Sequence, residues 1–318
     1  MSNSARSSKK PQKLILKMGL SPGDVLTMTA AVYSLHQTYP DEYLTDVRTP
    51  ASEIWFNNPH ITPLDERDPE VRLIEMHYPS IHRSNQEPVS FIAGYTEYLG
   101  EQLGRPLRCQ INRPVLYLSE QEASSPSMIQ QLLPNLRSRT FWLLTAGVKS
   151  DYTCKQWPVE HYQEVVDRTR GWIQWVQIGA VEHDHPHLYG VIDLIGRTTH
   201  RQLILLAYHA SGGLGPSTYL QHLMAAWQRP YILLLGGREP AIWQQYPMQI
   251  TLHTVGQLPC CAGGACWRSR TVSFGDGDKN DGSLCDRPML GGIRPFPECM
   301  GKISPEEVTA VLRRIVLR

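Results

Sequence analysis

Five thiols crowd into one stretch of this chain: Cys260-Cys261-Ala262-Gly263-Gly264-Ala265-Cys266, then Cys285 and Cys299. Four thiolates form the closed tetrahedral shell of a structural zinc site, and the same soft donors suit iron. Five candidates leave one spare, either Cys260 or Cys261, and the ligand set expected is Cys261, Cys266, Cys285 and Cys299. A closed shell has no open position for water or substrate, so the metal is expected to be structural rather than catalytic. Cys109 and Cys154 lie far away in the chain and read as small buried residues.

Asp24 follows the turn Gly19-Leu20-Ser21-Pro22-Gly23, where glycines let the backbone bend and a ligand come close. A carboxylate there can cap a helix, worth about 1 kcal/mol, or take a proton from an attacking hydroxyl. Lys155 precedes Trp157-Pro158; a lone lysine there reads as a solvated loop charge, and Pro158 suits a helix start. Gly212-Gly213-Leu214-Gly215-Pro216-Ser217 leads into a helix carrying His222. Small residues and a serine at a helix entrance make an anion site. His222 itself reads equally as a ligand contact or as a buried helix histidine with a satisfied ring.

Three other patterns carry less. A nicotinamide fingerprint needs Gly-x-Gly-x-x-Gly, and the turn before Asp24 lacks it, although Asp46 stands where a ribose-binding acid belongs. Asp276-Gly-Asp278-Lys-Asn280-Asp281-Gly282 resembles a calcium loop but has no glycine at its sixth position and Arg287 at its last, which reads as an acidic turn. His183-Asp184-His185-Pro186-His187 suits an exposed loop better than a metal site.

The elements that must position these residues alternate. Strands are expected at 14–18, 43–48, 72–77, 141–145, 172–178, 190–194 and 231–235, and helices from Val25 to near Pro40 and at 91–103, 159–170, 200–209, 217–228 and 305–317. The polar stretch 119–140 reads as a passage between two α/β domains. Ligands in such folds sit at the carboxyl ends of strands. A length of 318 residues with 41% apolar side chains supports two cores, and a net charge of +1 gives no case for nucleic acid. No apolar run is long enough to span a bilayer. The basic N-terminus lacks the apolar centre of a signal peptide and reads as a frayed tail to residue 13, which points to a reducing, cytoplasmic setting.

Lys17-Met18-Gly19-Leu20-Ser21-Pro22-Gly23-Asp24-Val25-Leu26, followed by Thr29-Ala30-Ala31 and Leu35, resembles the N-terminal signature of the ADP-heptose heptosyltransferases, glycosyltransferase family 9. Asn58-Pro59-His60-Ile61 matches the family's habit. Lys155-Gln156-Trp157-Pro158 with Glu160 resembles its diphosphate-binding segment, Ile192–Thr199 a loop near the nucleotide, and the helix with His222 and Ala225-Ala226 its Gly-x-x-His-Leu-x-x-Ala segment. Gly215-Pro216-Ser217 departs from the Asp-x-Gly of the lipopolysaccharide enzymes. The thiol cluster resembles the cysteine finger of the bacterial autotransporter heptosyltransferases, which bind iron and assemble into large rings. The closing stretch Cys299-Met300 to Val308 fits the same likeness.

The resemblance implies a GT-B fold of two Rossmann-like domains facing a cleft, here 14–137 and 138–318, with a small Cys-rich metal-binding segment at 259–300. It implies an inverting transfer of a sugar from a nucleotide-diphosphate donor, ADP-heptose by likeness, to a hydroxyl of a saccharide, protein or small molecule. Asp24 takes the place of the base; Gly23, Lys155, Thr198, Gly215, Pro216, Ser217 and His222 take donor-binding places. A structural iron or zinc and a homo-oligomer are also expected. A sugar-nucleotide epimerase and a non-catalytic, metal-stapled scaffold are the alternatives.

Overall fold

The structure, a computed structural model, describes residues 10–77, 83–132, 140–183, 185–275 and 284–317. They divide into two compact units: residues 10–77 with 91–119, and residues 83–90 with 120–317. Residues 83–90 and 120–132, expected in the first domain, thus belong with the second.

In the first unit, β1 (Gln12–Lys17) leads into α1 (Pro22–Thr38), followed by β2 (Tyr43–Arg48), β3 (Val71–Glu75) and α2 (Phe91–Leu103). The three strands are parallel in the order β2-β1-β3. Leu14, Ile15 and Leu16 at the centre of β1 are wholly buried, the mark of a strand covered on both faces. Part of the expected tail is ordered: β1 starts at Gln12, and Lys13 Nζ lies 2.6 Å from Asp68 and 2.8 Å from Glu70. Residues 1–9 lie outside the described residues.

The second unit carries short helices α3 (Glu120–Ser124) and α4 (Met128–Leu132). It continues with β4 (Phe141–Leu144), a 3-10 turn at Ser150–Lys155, α5 (Val159–Arg168), β5 (Gln174–Gln177), β6 (Ile192–Asp193), α6 (His200–His209), β7 (Gly212–Pro216), α7 (Tyr219–Ala226), β8 (Tyr231–Gly236), α8 (Ala241–Gln244) and β9 (Gln249–His253). A two-residue antiparallel ladder, Pro288–Met289 with Phe296–Pro297, and the helix Pro305–Val316 close the chain. All six strands of the main sheet are parallel, in the order β6-β5-β4-β7-β8-β9. Counted within the unit this is the doubly wound order 3-2-1-4-5-6, and the strand order reverses between β4 and β7. Ligands bind such sheets outside the carboxyl ends of the strands at that reversal.

The stretch 212–216, read from sequence as small residues at a helix entrance, is strand β7. Its glycines are imposed by packing. A Cβ on Gly212 would meet the Trp142 ring at 2.5 Å, and one on Gly213 would meet the Tyr231 ring at 2.9 Å. Pro216 is tolerated because β4 pairs only as far as Leu214, so no ladder bond is lost on that side. We expect Gly212→Ala to lower the unfolding free energy by about 1–3 kcal/mol through overpacking. Gly291→Ala, where a Cβ meets nothing within 4 Å, should change it by less than about 0.5 kcal/mol. Urea unfolding of both variants checks this.

Candidate functional site

In the second unit, the reversal point gathers the residues that sequence singled out. The loop after β4 ends in the 3-10 turn carrying Lys155, and β7 delivers Ser217. Lys155 Nζ donates to the Ser217 carbonyl at 3.1 Å and lies 3.1 Å from the Glu239 carboxylate. Ser217 Oγ donates to Glu239 at 2.7 Å, and Gln244 Nε2 donates to it at 3.0 Å. Arg238 pairs with the same carboxylate and lies 5.1 Å over the Tyr152 ring. Glu239 is only 3% exposed. A buried carboxylate persists only when it is paired and hydrogen-bonded, and here two cations and two neutral donors surround it.

Local sequence explains the delivery. Trp157 is fully buried, its indole N–H donates to the Ile303 carbonyl at 3.0 Å, and its ring meets Tyr162 edge-on at 4.7 Å. Gln156 Nε2 donates to the Ala146 carbonyl at 3.0 Å, tying the Lys155 turn to the β4 loop. Gly215 is required: a Cβ there would stand 2.9 Å from the Thr145 carbonyl and from the Tyr231 hydroxyl. The Tyr231 hydroxyl donates to the Pro216 carbonyl at 2.9 Å. Gly215 and Pro216 thus shape the wall through their backbone. The first turn of α7 presents backbone N–H groups that a helix cannot bond internally.

His222 resolves toward the satisfied ring: it is buried in α7, with Nδ1 2.7 Å from the Tyr246 hydroxyl. Burial, aided by the charge of Lys155, lowers its pKa to about 3, so the imidazole is neutral near pH 7. Thr198 is half-buried in the turn after β6, two strands from β4, and the structure does not bring it to Lys155. The adjacent Thr199 caps α6 in a capping box with Gln202.

In the first unit, Ser21 is the N-cap of α1 and Asp24 is its third residue. The Ser21 N–H and Oγ donate to Asp24 Oδ2 at 3.0 and 2.6 Å, the reciprocal half of a capping box. Pro22 begins the helix, so Gly23 stands inside its first turn, not in the preceding turn, and its carbonyl accepts the Thr27 hydroxyl at 2.9 Å. Asp46 is a structural bracket: its carboxylate accepts the N–H groups of Val47 and Leu64 and the Arg48 guanidinium, each at 2.8 Å.

Cys154, read as an unconnected buried thiol, instead lines one cavity of about 10 Å³ with Cys260, Cys266, Cys285 and Cys299. That is room for about one water-sized sphere. Cys260 lines the cavity and Cys261 stands behind it: the Cys261 thiol donates to the Leu258 carbonyl at 3.4 Å, and its sulfur packs against Gly237 of the cavity wall. The Cys285 sulfur accepts the Arg287 N–H at 3.4 Å. In kind and number the donors fit a thiophilic ion. The sulfurs are gathered without being closed on one point: among the described residues no three His, Cys, Asp or Glu side chains form a metal-binding group. The acidic turn Asp276–Gly282 lies outside the described residues, as does Asp184 of the histidine loop. That loop is not wholly exposed: the ring of His185 accepts the Gly147 N–H at 3.1 Å, and burial lowers its pKa to about 4.

Several solved structures share this architecture. The dodecameric iron-containing heptosyltransferase TibC of enterotoxigenic E. coli, solved with ADP-D-β-D-heptose, matches with a TM-score of 0.64 and 18% identity, over 96% of this chain and 76% of that one. The fold is that of the heptosyltransferases. A glycosyl transferase family 9 structure from Veillonella parvula matches at 0.63 with 13% identity, over 96% and 97% of the two chains. The ADP-heptose lipopolysaccharide heptosyltransferase II of E. coli matches at 0.56 with 16% identity, over 96% and 98%. No protein-family model and no curated protein matches the chain. Among the described residues no helix is long and apolar enough to cross a membrane.

Sequence reading passed over Glu239 and Arg238 and took Cys154 for a small buried residue without a place in the thiol cluster. The available signal for the first two was a charged pair directly after the apolar run 231–235 and Gly236-Gly237, the carboxyl end of a strand in a doubly wound sheet. The His222 environment gives a pH prediction. With its folded pKa near 3 and an unfolded value of 6.5, its contribution is complete above pH 6.5 and is lost as the pH falls toward 3. The unfolding free energy should therefore gain a slope approaching about 1.4 kcal/mol per pH unit below the unfolded pKa. His222→Asn should remove that slope in urea titrations across pH; equal slopes would mean the imidazole protonates while folded.

Proposed function

We propose that the protein is an inverting glycosyltransferase that moves a sugar, with ADP-heptose the first donor to test, to an acceptor hydroxyl. One observation carries the reading: Lys155, Ser217 and the start of α7 converge where the strand order of a doubly wound sheet reverses. The fold shared with heptosyltransferases over 96% of this chain supports it. In the reaction, the acceptor oxygen bonds to the anomeric carbon as the bond from that carbon to the diphosphate breaks. The acceptor proton passes to the Asp24 carboxylate. Lys155 exchanges Glu239 for the departing diphosphate, whose growing charge it and the α7 amides meet. Gly215 and Pro216 keep the wall open to the donor, while His222 stays neutral behind Lys155. Gly23 and Thr198 are assigned donor contacts on likeness to the family alone.

The cysteine cavity is proposed to hold a structural iron or zinc, with no part in the chemical step. TibC contains iron and is dodecameric; the corresponding test here is metal analysis and size measurement of the purified protein.

The transfer is tested by incubating a panel of nucleotide-sugars with and without candidate acceptors and reading products by mass spectrometry. A sugar-nucleotide isomer formed without acceptor would identify an epimerase, and binding of none of the panel a scaffold. Asp24→Asn, which keeps an acceptor for Ser21 and so spares the capping box, should lower turnover by roughly 10²–10⁴-fold with ADP affinity unchanged. Wild-type turnover in that variant would remove Asp24 from the mechanism. Lys155→Ala should weaken ADP binding by roughly 10–100-fold in calorimetry.

A further inference from the structure

The 3-10 turn that presents Lys155 cannot hold itself. It is six residues long and broken inside by the non-helical Tyr152, at φ −132° and ψ 39°. Runs of 3-10 helix are weakly bonded and short, so its position comes from outside. The Cys-rich segment supplies the ties. The Cys154 N–H donates to the Ser269 carbonyl at 2.9 Å, and the Thr271 N–H donates to the Thr153 hydroxyl at 2.9 Å. Residues Arg270 and Leu284 form a parallel bridge, and the Cys285 N–H donates to the Arg270 carbonyl at 2.6 Å. The same segment grips the end of β8: the Cys266 N–H donates to the Gly237 carbonyl at 3.2 Å and the Trp267 N–H to the Arg238 carbonyl at 3.0 Å. Both partners of the central ion pair, Lys155 and Glu239, therefore hang on chain that lines the cysteine cavity.

Cys154 is where these ties meet the thiols. It is 3% exposed and lines the cavity with Cys260, Cys266, Cys285 and Cys299. The next residue in the chain is Lys155, with its Cα about 3.8 Å away. We propose that Cys154 is a ligand of the ion held at this cavity, and that the ion thereby sets the position of Lys155. The inference rests on the reading of Lys155 as the diphosphate-binding cation. It makes Cys154 a positioning residue and joins the metal segment to donor binding, so the cysteines serve more than local folding.

The test uses the full chain in two arms. In the first, chelator-treated protein is titrated with Co²⁺ alone and the thiolate-to-cobalt charge-transfer band is read. Cys154→Ser should lose the share of the band intensity that one thiolate supplies and bind Co²⁺ at least about 10-fold more weakly. Cys261→Ser should keep the full band. A full band in Cys154→Ser, or loss in Cys261→Ser alone, overturns the assignment. Should Cys154→Ser fail to fold, anomalous diffraction from zinc-loaded wild-type crystals decides instead: Cys154 Sγ should lie about 2.3 Å from the ion, and an ion bound without it refutes the proposal.

In the second arm, ADP binding to the wild type is measured by calorimetry with the ion present and stripped. Stripping should weaken ADP binding by roughly 10-fold, the order of loss seen when a supporting contact is removed, and reloading should restore it. Unchanged affinity would overturn the positioning claim even if Cys154 is a ligand. ADP failing to bind the loaded wild type would refute the diphosphate reading and the positioning claim with it, while the cobalt band still decides whether Cys154 is a ligand.

Discussion

A single carboxylate organises the second unit. Glu239, buried at the end of β8, is shared by Lys155, Arg238, the Ser217 hydroxyl and the Gln244 amide. Removing a cation leaves a buried charge uncompensated, which costs several kcal/mol where a surface pair would cost almost nothing, and removing a neutral donor costs about 1–3 kcal/mol. The chain around it is correspondingly constrained. Trp157 anchors the turn that brings Lys155, the glycines of β7 admit the Trp142 and Tyr231 rings, and the Cys-rich segment hydrogen-bonds the chain just after β8. On the proposed reading, an arriving diphosphate would compete with Glu239 for Lys155. Preorganisation of this kind lets a fixed cation act on a leaving group without solvent rearrangement.

In the first unit the same economy falls on Asp24. The residue completes the capping box of α1 with Ser21, which orients the carboxylate at the helix start. Helix capping and proton acceptance are usually set against each other as explanations for such an aspartate. Here the cap holds the carboxylate in a defined place, and the Asn variant tests the proposed proton acceptance apart from the cap because it retains the hydrogen-bond acceptor and loses the carboxylate.

Much of the fold was readable before any coordinates. The bounds of β2, α2 and α6 agree with expectation because apolar periodicity there is framed by Pro and Gly punctuation. Strand β7 was hidden because its residues are glycines, chosen for what packs against them from Trp142 and Tyr231 rather than for strand propensity. Lys155 and Ser217 could be singled out from local strings; Glu239, which joins them across 84 and 22 residues of chain, could not. The cysteines show the same limit. Clustering drew attention to the segment, but which cysteines line one cavity is a tertiary fact: Cys260 does so beside Cys266, Cys285 and Cys299, and Cys154 joins them from far away in the chain.

The most direct measurement is a crystal structure of the protein soaked with ADP. The diphosphate should lie beyond the carboxyl ends of β4 and β7, within hydrogen-bond reach of Lys155 Nζ and the first amides of α7. A nucleotide bound elsewhere, with Lys155 still paired to Glu239, would contradict the assignment of this site.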